Sequence, residues 1–117
     1  MNNPKRGDIV RVRLSPVEGS KKFGQRPALV ISPDLINEHS PVILIAAITS
    51  KKVNRIYPFE VGVRPPDGGL SLPSKILLMH IRSIDKRRLI GFYGRVTDET
   101  MAKVDEALKI VTGLTHI

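Results

Sequence analysis

The alternation of apolar and polar residues along the chain predicts a mostly β protein that ends in a helix. In Ile9–Leu14, Val10, Val12 and Leu14 fall on one face and Arg11 and Arg13 on the other, the period of a half-buried strand. Ala28–Ile31 reads as a short buried strand. Pro33 and Asp34 turn the chain, and Leu35–Glu38 reads as one helical turn. Val42–Thr49 is β-rich and apolar on both faces, the pattern of a central strand. Pro58–Val63, Ile76–Ile81 and Leu89–Val96 read as further strands, the last two joined by the basic turn Asp85–Arg88. Ser15–Gln25 and Arg64–Leu72 carry the Pro, Gly and Ser of exposed loops. From Thr97 or Asp98 the period changes. Met101, Val104, Leu108 and Val111 make an apolar stripe at helical spacing, Asp98 and Glu99 suit the helix dipole, and Gly113 supplies a stop. The predicted fold is mainly β (α+β): five or six short antiparallel strands in a small, partly closed barrel with the C-terminal helix packed on it.

Composition narrows the chemistry. At 117 residues the chain is sized for one domain, 1–117. It has no Cys, which excludes disulfides, thiol nucleophiles and Cys-held metal clusters. The longest apolar run, Val42–Ile48, is far short of a membrane span, and the N-terminus lacks an apolar signal core, so a cytoplasmic location and no membrane partner are expected. The 19 Lys and Arg against 11 Asp and Glu give a net charge of +8. A small domain this basic is expected to meet an acidic partner. The charge is uneven. Residues 1–26 carry seven basic residues, 27–50 no Lys or Arg, and 51–95 ten, so two basic stretches flank an apolar middle. With three Phe, two Tyr and no Trp, stacking of many bases on an aromatic platform is disfavoured.

His39, His80 and His116 are far apart, and no carboxylate pair has metal-ligand spacing. There is no nucleophile elbow and no phosphate-binding glycine loop; Asp67-Gly68-Gly69 reads as a turn. No metal or other cofactor is expected. Cationic chemistry remains. Arg26, between a basic loop and a buried strand, is placed to clamp a phosphate in its guanidinium fork, although a solvated edge arginine fits the same position. The hydroxyls of Thr49 and Ser50 end the most buried strand and can donate to phosphate or satisfy its last backbone groups. Lys21 and Lys22 fit a solvated patch. His80, taken alone, reads as a hydrogen-bonded structural histidine.

Several segments, in order, resemble the MazF/PemK toxins of type II toxin–antitoxin modules: Arg6–Val10, Ser15–Ser20, Gly24–Ser32, Ala46–Ser50, Tyr57–Val61, Ile81–Leu89 and the helix from Asp98. The resemblance implies an SH3-like barrel, a homodimer, and metal-independent, sequence-specific cleavage of single-stranded RNA. It also implies an acidic, MazE-like antitoxin. It makes Arg26 and Thr49 the catalytic pair and puts Ser20, Lys21, Lys22, Gln25, Ser50, Lys51, Ser74, His80 and Arg82 on the RNA-binding surface. Where the family usually has glutamate after Gly-Ser and glutamine on the later strand, this chain has Lys21 and His80. Both departures bear on cleavage-site preference. Histidine ordinarily titrates near about 6.5, so His80 in an RNA groove could assist proton transfer. Guanidinium, which stays protonated at neutral pH, is a poor base. Two other readings remain open: a non-catalytic SH3-like RNA-binding module, and a topoisomerase poison like the related CcdB toxins. The intact Arg26 and Thr49 weigh against the first, and the missing Trp against the second.

Overall fold

Alternation with a buried residue on each face organises the middle of the chain. The computed structural model describes residues 3–14 and 24–116. In chain order these form β1 (Asp8–Arg13), β2 (Gln25–Val30), α1 (Asp34–His39), β3 (Val42–Thr49), β4 (Glu60–Val63), β5 (Ser74–Asp85), β6 (Leu89–Arg95) and α2 (Asp98–Val111). The strands make one sheet in the order β4-β5-β3-β2-β1-β6, and every neighbouring pair is antiparallel. No ladder joins β4 to β6, so the sheet stays open. A 3-10 turn at Asp67–Gly69, just after β4, packs on β6 and brings the two edges together.

The sheet buries both faces. On one, Ile9, Leu29, Ala46, Ile48, Ile76 and Leu78 pack with Val104 and Ala107 of α2, beside Met101, Leu108 and Val111, so the helical stripe meets the core as its spacing predicts. On the other, Val10, Val12, Ala28, Val30, Ile43, Ile45 and Ile84 form a second cluster, joined by Leu14. Thr97 caps α2, its hydroxyl accepting from the Thr100 amide at 3.2 Å. After the helix, Gly113 turns with φ 77° and the Leu114 amide returns to the Lys109 carbonyl.

Three strands differ from the sequence expectation by two residues or more at a boundary. β2 begins at Gln25 instead of Ala28, because Gln25 and Arg26 pair with Arg13 and Val12 of β1. β4 begins at Glu60 instead of Pro58, because the Glu60 amide turns back to the Tyr57 carbonyl at 2.9 Å. β5 runs from Ser74 to Asp85 through a bulge. Ala46 pairs with Ile81 but Ala47 with Leu77, so Leu78, Met79 and His80 have no ladder partner on β3. β3 is central, between β2 and β5, yet Val42 and Leu44 stay about 40% exposed.

The turn after β4 needs its glycines. Gly69 has φ 74°, and a Cβ there would fall on the Tyr93 carbonyl. The left-handed backbone alone costs an L-residue about 1–2 kcal/mol, and the clash adds to it. Gly69→Ala should therefore lower the midpoint of urea unfolding, by about 2 kcal/mol of stability or more. An unchanged midpoint would show that β6 does not depend on this turn.

Candidate active site

The β2–β3 register runs Ala28↔Ala47, Leu29↔Ala46 and Val30↔Ile45. Two residues beyond the Ala28↔Ala47 pair on each strand stand Arg26 and Thr49. Strand alternation puts both on the face that carries Ala28 and Ala47. All four line one groove of about 520 Å³, walled by Leu14, Leu72 and Tyr93. Lys51, His80 and Arg82 also line it, and no Asp or Glu does among the described residues. A second lobe of about 570 Å³ shares Thr49, Lys51 and His80 with the groove and adds Lys52, Arg55, Tyr57, Lys75 and Glu60. In the groove anions meet converging cations, with no carboxylate among the described lining residues to repel them. No cluster of three His, Asp or Glu spaced to hold a metal ion occurs among the described residues.

Thr49 closes β3 half-buried, and its hydroxyl oxygen accepts from the Lys51 amide at 3.1 Å. That bond uses a lone pair and leaves the hydroxyl proton free to donate outward. The backbone-satisfying role and the phosphate-donating role are thus compatible. Arg26 is exposed, and no carboxylate pairs with it among the described residues. Ser50 and Lys51 follow Thr49 on the groove rim. Ser74 is buried, and its hydroxyl donates to the Leu72 carbonyl at 2.9 Å, which ties the groove wall to β5. Gln25 is exposed on β2 beside Arg26, outside the groove lining. Ser20, Lys21 and Lys22 lie outside the described residues. The reading of His80 as a hydrogen-bonded structural residue is overturned. His80 is exposed and has no hydrogen-bond partner among the described residues, because the β5 bulge carries it out of the ladder into both lobes. The two basic stretches do meet, Arg26 from the first and Lys51 and Arg82 from the second.

Beneath the second lobe Glu60 and Lys75 form an ion pair at 2.8 Å, with side chains only 10% and 7% exposed. Burial by itself would raise the Glu60 pKa. The Lys75 hydrogen bond, the Tyr57 amide and the positive charge of Lys75 and His80 outweigh it and hold the carboxyl below its ordinary value of 4.5. On the exposed β5–β6 turn the Arg87 side chain, then its amide, hold Asp85 below the ordinary value in the same way.

The site and the fold can be set beside known proteins. The family described as PemK-like, MazF-like toxin of type II toxin–antitoxin system matches residues 5–112. The chain is 44% identical to Endoribonuclease EndoA of Bacillus subtilis (strain 168) over 110 residues, covering 94% of this chain and 95% of that one. This chain belongs to the PemK/MazF toxin family. The solved MazE–MazF structure (Form-II) from Deinococcus radiodurans has a chain of the same fold, with TM-score 0.81, 29% identity and coverage of 98% and 100%. A mycobacterial endoribonuclease solved in complex with its cognate antitoxin superposes with TM-score 0.79 at 26% identity, covering 97% of this chain and 99% of that one.

Two features of the toxin's site had no sequence signal. Tyr93 reaches the groove from β6, where alternation alone does not distinguish it from its neighbours. Glu60 and Lys75 are 15 positions apart, and no local spacing announces their pairing. Because the Glu60 pKa is lowered on folding, its contribution to stability is complete above the ordinary value and is lost as pH falls through the folded value. The stability gap between wild type and Glu60→Gln, measured by urea unfolding, should therefore be full at about pH 7 and shrink toward about pH 3. A gap independent of pH would contradict the ion pair.

Proposed function

We propose that this toxin is a metal-independent, sequence-specific endoribonuclease in which Arg26 and Thr49 act on the scissile phosphate of single-stranded RNA. One observation carries the reading: Arg26 and Thr49 share a face at the end of the β2–β3 ladder, in a cationic groove that no Asp or Glu lines among the described residues. RNA brings its own nucleophile. The 2′-oxygen attacks phosphorus, the O2′–P bond forms as the P–O5′ bond breaks, the 2′-proton passes to solvent water, and the 5′-oxygen leaves taking a proton from water. The products are a 2′,3′-cyclic phosphate, or its opened 3′-phosphate, and a 5′-hydroxyl. The protein has to align the two oxygens in line and stabilise charge on the phosphate. The Arg26 guanidinium binds two phosphate oxygens in its fork, and the free Thr49 proton donates to one. Lys51, Arg82 and His80 hold the flanking strand, with Ser50 and Gln25 beside them, and the family resemblance adds Ser20, Lys21 and Lys22 to the RNA contacts. Ser74 contributes through the wall it supports.

The remaining parts of the reading come with the family. The toxin acts as one domain and as a cytoplasmic homodimer. Its antitoxin is acidic and covers the same cationic groove that RNA uses. Among the described residues no helix is long and apolar enough to cross a membrane. A non-catalytic RNA-binding module would need the same cations, but it gives no role to a threonine hydroxyl beside an arginine that pairs with no carboxylate among the described residues.

The groove shares RNA binding among several cations, whereas the charge of Arg26 counts most as the phosphate gains charge. In buffer containing EDTA, Arg26→Ala should lower the cleavage rate about a hundred- to a thousandfold while RNA affinity falls far less. Thr49→Val, which keeps the shape and removes the proton, should act in the same direction. Wild-type rates in Arg26→Ala, or cleavage by the wild type only when Mg²⁺ is supplied, would refute the assignment.

His80 faces the groove with Arg82 and Lys51 and the second lobe with Lys75 and Glu60. Protonation of an imidazole adds a charge and a donor near phosphate. Lowering the pH from about 8 to about 5.5 should raise RNA affinity more in wild type than in His80→Gln. The variant should also cut at a shifted set of sites. Identical affinity and cut-site profiles would remove His80 from the recognition surface.

A further inference from the structure

Lys75 stands directly across the β3–β5 ladder from Thr49. Its ammonium donates to the Arg55 carbonyl at 2.9 Å and to the Glu60 carboxylate at 2.8 Å, and the same carboxylate oxygen accepts the Tyr57 amide at 3.1 Å. The ammonium also lies 5.9 Å from the centre of the Tyr57 ring, which stacks on Phe59 with centroids 5.4 Å apart. One buried ion pair thus ties three points of the segment between β3 and β4 to the strand that faces Thr49. That segment carries Lys51, Lys52 and Arg55 and bends through Lys52 at φ 54°, a left-handed conformation unfavourable for a non-glycine residue. Such a conformation persists only where the surroundings over-determine it.

A buried ion pair is a poor way to gain stability, since desolvation offsets most of the attraction and well-packed apolar residues often do as well. Its distinctive property is direction: two charges and three hydrogen bonds fix where a backbone runs. We propose that the Lys75–Glu60 pair is a positioning element of the site, holding the β3–β4 segment so that Lys51, Lys52 and Arg55 present their charge to the RNA strand beside Thr49. The proposal rests on the endoribonuclease reading above. Lys75 and Glu60 act through the segment and are not catalytic residues.

The test compares wild type, Glu60→Gln, Lys75→Met and the apolar double variant Lys75→Met/Glu60→Met. The readouts are steady-state kcat and KM on a single-stranded RNA that the wild type cuts, binding of an uncleavable 2′-O-methyl RNA at several salt concentrations, and Tm. Both single variants should raise KM about tenfold, with a smaller fall in kcat, since the β-ladder itself holds Thr49. The apolar double variant should recover Tm and keep the raised KM. The slope of log affinity against log salt should flatten by up to about 2, at about 0.7 for each of the three displaced cations. Recovery of KM together with Tm in the double variant, or an unchanged salt slope in the variants, would show that the pair only stabilises the fold. Should the double variant not fold, Glu60→Gln decides alone, because it keeps the side-chain shape and an acceptor for the Tyr57 amide. A wild type that neither cuts nor binds RNA overturns the endoribonuclease reading and this proposal together. A wild type that cuts, with Arg26→Ala inactive and KM unmoved in the variants, overturns this proposal alone.

Discussion

The site depends on the register of β2 against β3. A strand's side chains alternate, so a slip of one residue would send Arg26 and Thr49 to opposite faces of the sheet. The slip is prevented by burial on both sides. Leu29 packs into the cluster under α2, while Ala28 and Val30 pack into the cluster on the opposite face. Moving β2 by one position would exchange these sets and drive the Arg26 guanidinium toward the helix-covered core, where an unpaired charge is costly. The hydrophobic pattern that folds the sheet is therefore also what brings a guanidinium and a hydroxyl together at the end of its two central strands.

Everything else about the site follows from what surrounds that end of the ladder. The bulge at Leu78–His80 releases His80 from β3 and turns it to the groove, and Arg82 enters from the same strand once the ladder resumes at Ile81. The turn after β4 brings Leu70 and Leu72 over the groove against Tyr93 of β6. The ion pair of Glu60 and Lys75 lies behind Thr49, so the carboxylate that lines the second lobe among the described residues is neutralised by its partner and takes little from the positive field there. A site of this kind stabilises charge that develops on phosphate without itself having to transfer electrons or hold an ion, which suits a substrate that carries its own nucleophile.

How far the chain could be read without coordinates follows from the periodicity of each element. Val42–Thr49 is apolar throughout and the helix after Thr97 keeps one period from end to end, and both appear where their patterns place them. β5 does not keep one. Its bulge breaks the alternation at Leu78–His80, so the pattern predicts a strand ending at Ile81 where the ladder continues to Asp85. Arg26 and Thr49 were legible as cations and hydroxyls at strand ends, and the ordered likeness to one toxin family made them a pair. Their opposition across β2 and β3 needed the register. Glu60 and Lys75 were not legible at all: a long-range pair between two ordinary-looking strand residues has no signature in spacing, and only its burial makes it distinctive.

The central claim is that the RNA's own 2′-oxygen is the nucleophile, held in line by Arg26 and Thr49 without a metal. Two forms of one single-stranded RNA test this most directly, an all-ribose strand and a strand with 2′-deoxyribose at the nucleotide before the cut, each incubated with the wild-type protein in EDTA. The account predicts that the all-ribose strand is cut to fragments ending in a 2′,3′-cyclic phosphate or 3′-phosphate and beginning with a 5′-hydroxyl, and that the substituted strand is left whole at that position. Cutting of the substituted strand at the same position, or fragments bearing 5′-phosphates, would show that water is the nucleophile and would contradict the account.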